Sequence, residues 1–157
     1  MKKKQGFTLI ETIVVTVILA VLLAIAVPSV MHYIDEADNA KYLAASRALA
    51  QDLKIALTKD YHSDKHDDYA ISKTLTDYNK KASDNTQIIF IMFNFKKGTP
   101  TFKIKPGKPY TSAIDPTTIT SYIFFFGDSN TVNNNYNKQA VVYPNKKIEI
   151  HNARKAA

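Results

Sequence analysis

At 157 residues the chain is long enough for one domain of ordinary size and an appendage, and its hydrophobic (45%) and charged (22%) fractions lie near a globular average. It contains no cysteine, which excludes a disulfide framework, a thiolate metal centre and a cysteine nucleophile. The formal net charge of +7 falls to +4 once Lys2, Lys3 and Lys4 are set aside, since 18 Lys+Arg then face 14 Asp+Glu; a balance this mild more often serves solubility than adhesion to acidic surfaces or nucleic acid.

The apolar residues are unevenly spread. After the basic opening Met1-Lys2-Lys3-Lys4-Gln5-Gly6, the stretch from Phe7 to Val27 carries a single charge, Glu11. As a helix those twenty-one residues span roughly 31 Å, the thickness of a bilayer's hydrocarbon core. The lysines before it keep the N-terminus cytoplasmic and place the rest of the chain outside. Three readings of this segment compete. One is an ordinary secretory signal peptide cut after Ala24-Ile25-Ala26, leaving a secreted binding domain. Another is a permanent signal anchor. The third is a leader removed between Gly6 and Phe7, with the apolar helix retained. Glu11 weighs against the first, because an acid interrupts the part of a signal peptide that should be simplest.

The run Lys4-Gln5-Gly6-Phe7-Thr8-Leu9-Ile10-Glu11, the apolar stretch behind it and Pro28 resemble the type IV pilins and pseudopilins. The resemblance covers residues 4 to 28. It implies a class III prepilin leader over residues 1–6, a transmembrane and assembly segment over 7–30, and an exported head over 31–157. It further implies cleavage between Gly6 and Phe7 by a prepilin peptidase, N-methylation of Phe7, and a structural role without enzymatic activity, cofactor or metal. The implied partners are other pilin copies in a helical polymer, the inner-membrane assembly platform and its ATPase, and the membrane before assembly. The implied location is a single-pass cell membrane first and an extracellular pilus afterwards. A pseudopilin of a type II secretion or competence DNA-uptake system is the alternative within the resemblance.

Physical chemistry gives these positions a rationale of their own. Gly6 lets a peptidase approach the backbone closely. A carboxylate in a bilayer costs on the order of 2.5–3.5 kcal/mol near the centre, so Glu11 is expected to face a partner, and the cationic amine created on Phe7 of a neighbouring copy is the expected one. Pro28 removes a helical hydrogen bond and crowds the preceding turn, which predicts a kink and a freed Ala24 carbonyl.

Beyond Pro28 the pattern stays helical to about Leu57, with neither Gly nor Pro between residues 29 and 59. Tyr42, Leu43, Ser46, Leu49, Ala50, Leu53, Ala56 and Leu57 fall on one stripe, the face expected to pack on a sheet. Ala44, Ala45, Ala48 and Ile55 lie off it. Small residues there either permit close helix contacts in a filament or reflect helix propensity alone.

Residues 60–86 read as a polar loop with a short helix near Ile71 to Tyr78. His62 and His66 have a metal-compatible spacing, but no full ligand set accompanies them. From Gln87 the pattern is β: Ile88 to Phe95, a return over Thr101 to Ile104, Tyr122 to Phe126, and a hairpin of Val141-Val142-Tyr143 with Lys147 to His151 around Pro144-Asn145. The expected fold is α+β, a pilin-like roll with the long helix on a four- to five-stranded antiparallel meander. No phosphate-binding loop, catalytic triad or zinc-protease motif is found. Asp128, Ser129, Asn130 and Asn133 offer oxygens for Ca²⁺, although a plain turn explains them better. Lys138, Lys146, Lys147, Arg154 and Lys155, with Tyr136 and Tyr143 nearby, offer a nucleic-acid surface, although a solvated face and a frayed end explain them better.

Overall fold

The computed structural model describes residues 8–96, 103–111, 113–127, 136–145 and 147–153. It divides into two compact units, Met1–Asp38 and Asn39–Ala157.

The first unit is helical. Helix α1 is assigned over Leu9–Tyr61 and so runs through both units. Its start is set by Thr8, whose side chain and amide engage Glu11. The helix continues through Pro28, although a proline has no amide hydrogen to offer the Ala24 carbonyl. One turn away, the Ser29 hydroxyl donates to the Ile25 carbonyl at 3.4 Å. The apolar side chains of this unit, Ile13, Val17, Leu22 and Ile25 among them, are about half or more exposed, so among the described residues nothing buries them. By length and composition this helix can cross a membrane.

The second unit holds the core. On its part of α1, Leu49, Leu53 and Leu57 are fully buried, joined by Tyr42 and Ser46, as the periodicity predicts. Ala45 departs from that expectation. It packs against the core, because a small side chain at the stripe's margin lets the sheet approach. The helix also runs one turn past Leu57 and buries Asp60 near its end. Helix α2 follows as Ala70–Asn79 and contributes Ile71 and Leu75.

Five strands form one antiparallel sheet: β1 Gln87–Phe95, β2 Lys103–Ile104, β3 Ile119–Gly127, β4 Lys138–Val142 and β5 Ile148–Asn152. Their spatial order is β2-β1-β3-β4-β5, which corrects the simple meander. β3 returns beside β1 rather than β2, since β1 is long and apolar enough to be paired on both edges whereas β2 spans two of the described residues.

Two irregularities set which side chains face the helix. The register passes from Ile88↔Phe126 to Phe90↔Phe125, leaving Ile89 as an extra residue, so both Ile88 and Ile91 turn inward despite their odd separation. A second shift leaves Thr120 extra and brings both Phe95 and Ile119 to the core side. Phe93, Phe124 and Phe126 complete the inner layer. On the opposite face Phe90 stacks on Phe125 with centroids 4.1 Å apart, under the Lys103 ammonium at 4.0 Å.

Asn79 ties α2 to the first bulge. Its side-chain amide donates to the Ile88 carbonyl at 2.8 Å, and its side-chain oxygen accepts from the Ile88 amide at 2.7 Å. It thus satisfies backbone groups where the β1–β3 ladder is interrupted. Asn79→Ala is expected to cost about 2 kcal/mol, the scale of two partly buried groups left unpaired, read as a lowered urea midpoint with unchanged slope. Leu53→Ala, which opens a cavity between helix and sheet, is expected to cost about 3 kcal/mol in the same measurement.

Candidate functional site

The N-terminal candidate site is built on the first turn of α1. The Thr8 hydroxyl donates to Glu11 Oε2 at 2.7 Å, and the Thr8 amide donates to the same oxygen at 2.8 Å. The Glu11 amide in turn approaches Thr8 Oγ1 at 3.4 Å. This is a capping box: each side chain occupies a backbone amide that the helix start leaves without an intrahelical partner. Both Glu11 bonds converge on Oε2, and no described residue donates to Oε1. The exposed carboxylate is therefore held in a fixed direction with one oxygen open. The signal for this arrangement, Thr followed three residues later by Glu ahead of an apolar run, is present in the sequence. Gly6 and Phe7 lie outside the described residues. Pro28 sits on the same helix, more than four turns further on.

A second cluster, in the head, went unrecognised in the polar run 60–68. The Asp60 carboxylate, with 2% of its side chain exposed, accepts from three groups. His66 Nδ1 lies 2.8 Å from Oδ2, the Tyr110 hydroxyl donates to Oδ2 at 3.2 Å, and the Asp67 amide donates to Oδ1 at 2.8 Å. His66 Nε2 lies 3.3 Å from the Tyr110 carbonyl and 3.4 Å from Asp68 Oδ1. The Tyr110 amide donates to the Asp68 carbonyl at 3.0 Å. These bonds fasten residues 66–68 and the segment around Tyr110 to the end of α1. The Asp60 carboxylate at its centre is buried, and all three of its donors come from the head's own loops, so these bonds hold the fold together.

Burial and the neighbouring Asp60 carboxylate push the Tyr110 phenol above its ordinary value. A raised folded value means that the folded head holds the proton after the unfolded chain has released it. Its stabilising effect is complete below about pH 10 and is lost as pH rises beyond it. Alkaline unfolding is accordingly expected to show a falling limb above about pH 10 that Tyr110→Phe flattens, as measured by urea midpoints across a pH series.

His62 and His66 do not share a helix face: α1 ends at Tyr61, His62 turns back to the Thr58 carbonyl at 2.9 Å, and His66 serves Asp60. Among the described residues no group of three or more His, Asp or Glu is placed to hold a metal ion. Asp128, Ser129, Asn130 and Asn133 lie outside the described residues, as do Lys146, Arg154 and Lys155. The remaining two basic residues face opposite sides of the sheet. Lys138 Nζ reaches Asn39 Oδ1 at 2.8 Å on the helix side, and Lys147 pairs with Glu149 at 2.6 Å on the other.

Compared with known proteins, residues 1–27 match the model of the prokaryotic N-terminal methylation motif, the class III prepilin leader of type IV pilins and pseudopilins. That leader, an apolar helix able to cross a membrane, and a helix packed on a five-stranded antiparallel sheet are together consistent with a pilin-like or pseudopilin protein. No curated protein matches the chain, and no solved structure does.

Proposed function

We propose that the chain is a structural subunit of a type IV pilus, polymerising through its N-terminal helix for adhesion, surface motility or aggregation. The observation that carries this reading is the methylation motif running directly into an apolar stretch, Phe7 to Val27, whose only acid, Glu11, stands fifth after Gly6. Processing removes residues 1–6 between Gly6 and Phe7 and methylates the Phe7 amine. Residues 7–30 hold the subunit in the membrane until assembly, and residues 31–157 form the exported head.

In the filament, the Phe7 amine of one copy meets the Glu11 carboxylate of its neighbour. The capping box supports this role, since it directs the carboxylate and leaves Oε1 for a cation. The pairing offsets the cost of keeping an acid in the membrane and fixes the stagger between copies. Pro28 bends or loosens the helix where it leaves the bilayer, so the apolar helices can repack as the filament core. The prepilin peptidase, the assembly platform and its ATPase are the partners this cycle requires.

Electron microscopy of fibres sheared from the cell surface and labelled for this chain tests the proposal. Labelling along the fibres is the expected result. Secretion or DNA uptake that depends on the chain, with no labelled surface fibre, would assign it to a pseudopilus.

A further inference from the structure

β5 is an outer strand. β4 lies on one side of it, and among the described residues no strand lies on the other. The Tyr143 amide donates to the Lys147 carbonyl at 2.9 Å, and the Ala153 amide donates to the Asn137 carbonyl at 3.0 Å. These two bonds fix the phase of the ladder, so the backbone groups of Lys147, Glu149, His151 and Ala153 turn toward β4. By the alternation of an antiparallel pair, those of Ile148, Ile150 and Asn152 turn outward, where no described residue bonds to them.

The side chains alternate as well. Ile148 and Ile150 pack toward the core. Glu149 lies on the opposite face with Lys147 at 2.6 Å and His151 at 3.7 Å. An open strand with apolar residues on one face and mixed charge on the other is a template for a further strand.

A second β5, running antiparallel, answers this edge in one register. Outward backbone groups belong to even-numbered residues, so even must pair with even. Centring on Ile150 sets Ile148 opposite Asn152 and Glu149 opposite His151 of the second copy, twice by symmetry. Moving the centre to Glu149 sets carboxylate against carboxylate and Lys147 against His151, which is destabilising. Moving it to His151 sets the imidazoles against each other. Moving it to Ile148 places half of β5 opposite the 143–147 turn.

We propose that β5 is a homotypic docking edge through which two heads join around a two-fold axis at Ile150, making one continuous sheet. The axis stands perpendicular to the sheet, so both cores lie on the same side and the Ile150 side chains meet. It reverses the Asn39–Tyr61 helix direction in the second copy, so the contact joins heads that approach from opposite directions. It concerns the heads alone and is independent of how the N-terminal helices associate.

The full chain in detergent micelles provides the test. Since the chain has no cysteine, one introduced thiol reports only contacts between copies. In the centred register the two copies of Ile150 lie about 5.5 Å apart, within disulfide reach, whereas those of Asn152 lie about 14 Å apart. Oxidation is expected to link Ile150→Cys about 10-fold more than Asn152→Cys. In the Ile150→Cys background, Glu149→Lys is expected to cut linking about 10-fold, and adding His151→Glu to restore it. Mixed chains bearing Glu149→Cys and His151→Cys give a second reporter of the same register should Ile150→Cys fail to fold. Equal linking at 150 and 152, absence of linking at 150 in folded protein, or failure of the charge exchange to restore it overturns the proposal.

Discussion

Filaments are expected to disappear from the cell surface when Glu11 is replaced by alanine. Breaking a charge pair in a low-dielectric interface costs about 3 kcal/mol per contact, roughly a 100-fold loss in association between neighbouring copies. Because every contact along the polymer carries the loss, sheared-fibre yield should fall below detection while total chain in the membrane stays constant. Glu11 also caps α1 through Thr8, so alanine alone does not separate assembly from helix start. Glu11→Gln does, since a glutamine still accepts from the Thr8 amide and completes a capping box but carries no charge. If pairing with the Phe7 amine is the role, Glu11→Gln abolishes fibres as alanine does. Near-normal fibre yield from Glu11→Gln would reduce Glu11 to a cap.

In the head, Asp60 is expected to be as costly to lose as a leucine of the core. Asp60→Ala removes the acceptor for His66, the Tyr110 hydroxyl and the Asp67 amide together, and leaves a buried phenol without its partner. The expected loss is about 3 kcal/mol, which for a domain of this size lowers the midpoint by about 15 °C. Tyrosine fluorescence reads the transition, because the chain has nine tyrosines and no tryptophan. His66→Ala is expected to cost less, since the Tyr110 and Asp67 donors remain. A midpoint unchanged by Asp60→Ala would mean that the carboxylate is solvated and that the loops are held by apolar packing alone.

Much of the head was legible because its elements announce themselves locally. Tyr42, Ser46, Leu49, Leu53 and Leu57 repeat at the helical period, and all five are buried. The aromatic and β-branched runs around Phe93 and Phe124 have no other satisfactory state than a covered strand. The hairpin at Pro144-Asn145 was likewise visible, and its strands meet with Val142 opposite Ile148.

What escaped depends on contacts between residues far apart in the chain. No local pattern says that β3 prefers β1 to β2, because the choice lies in pairings such as Phe93↔Tyr122, and in bulges that move one residue out of register. Asp60 escaped for a related reason. An aspartate at the head of a polar run looks solvated until Tyr110, fifty residues away in sequence, is laid against it. At the N-terminus both the position of Glu11 and its Thr-x-x-Glu spacing stand in the sequence, whereas the convergence of both Thr8 bonds on one carboxylate oxygen is a matter of three-dimensional geometry. Gly6 and Phe7 rest on the motif match, as they lie outside the described residues.

Assembly through the apolar helix requires that the helix be kept after processing. Mass spectrometry of the N-terminal peptide of the mature chain, isolated from cells, measures it directly. The expected peptide begins at Phe7, carries one added methyl group on its amine, and continues through Glu11 into the apolar run. A mature chain beginning at Val27 and recovered as a free monomer from the medium would show that the helix is discarded on export, and would contradict assembly through it.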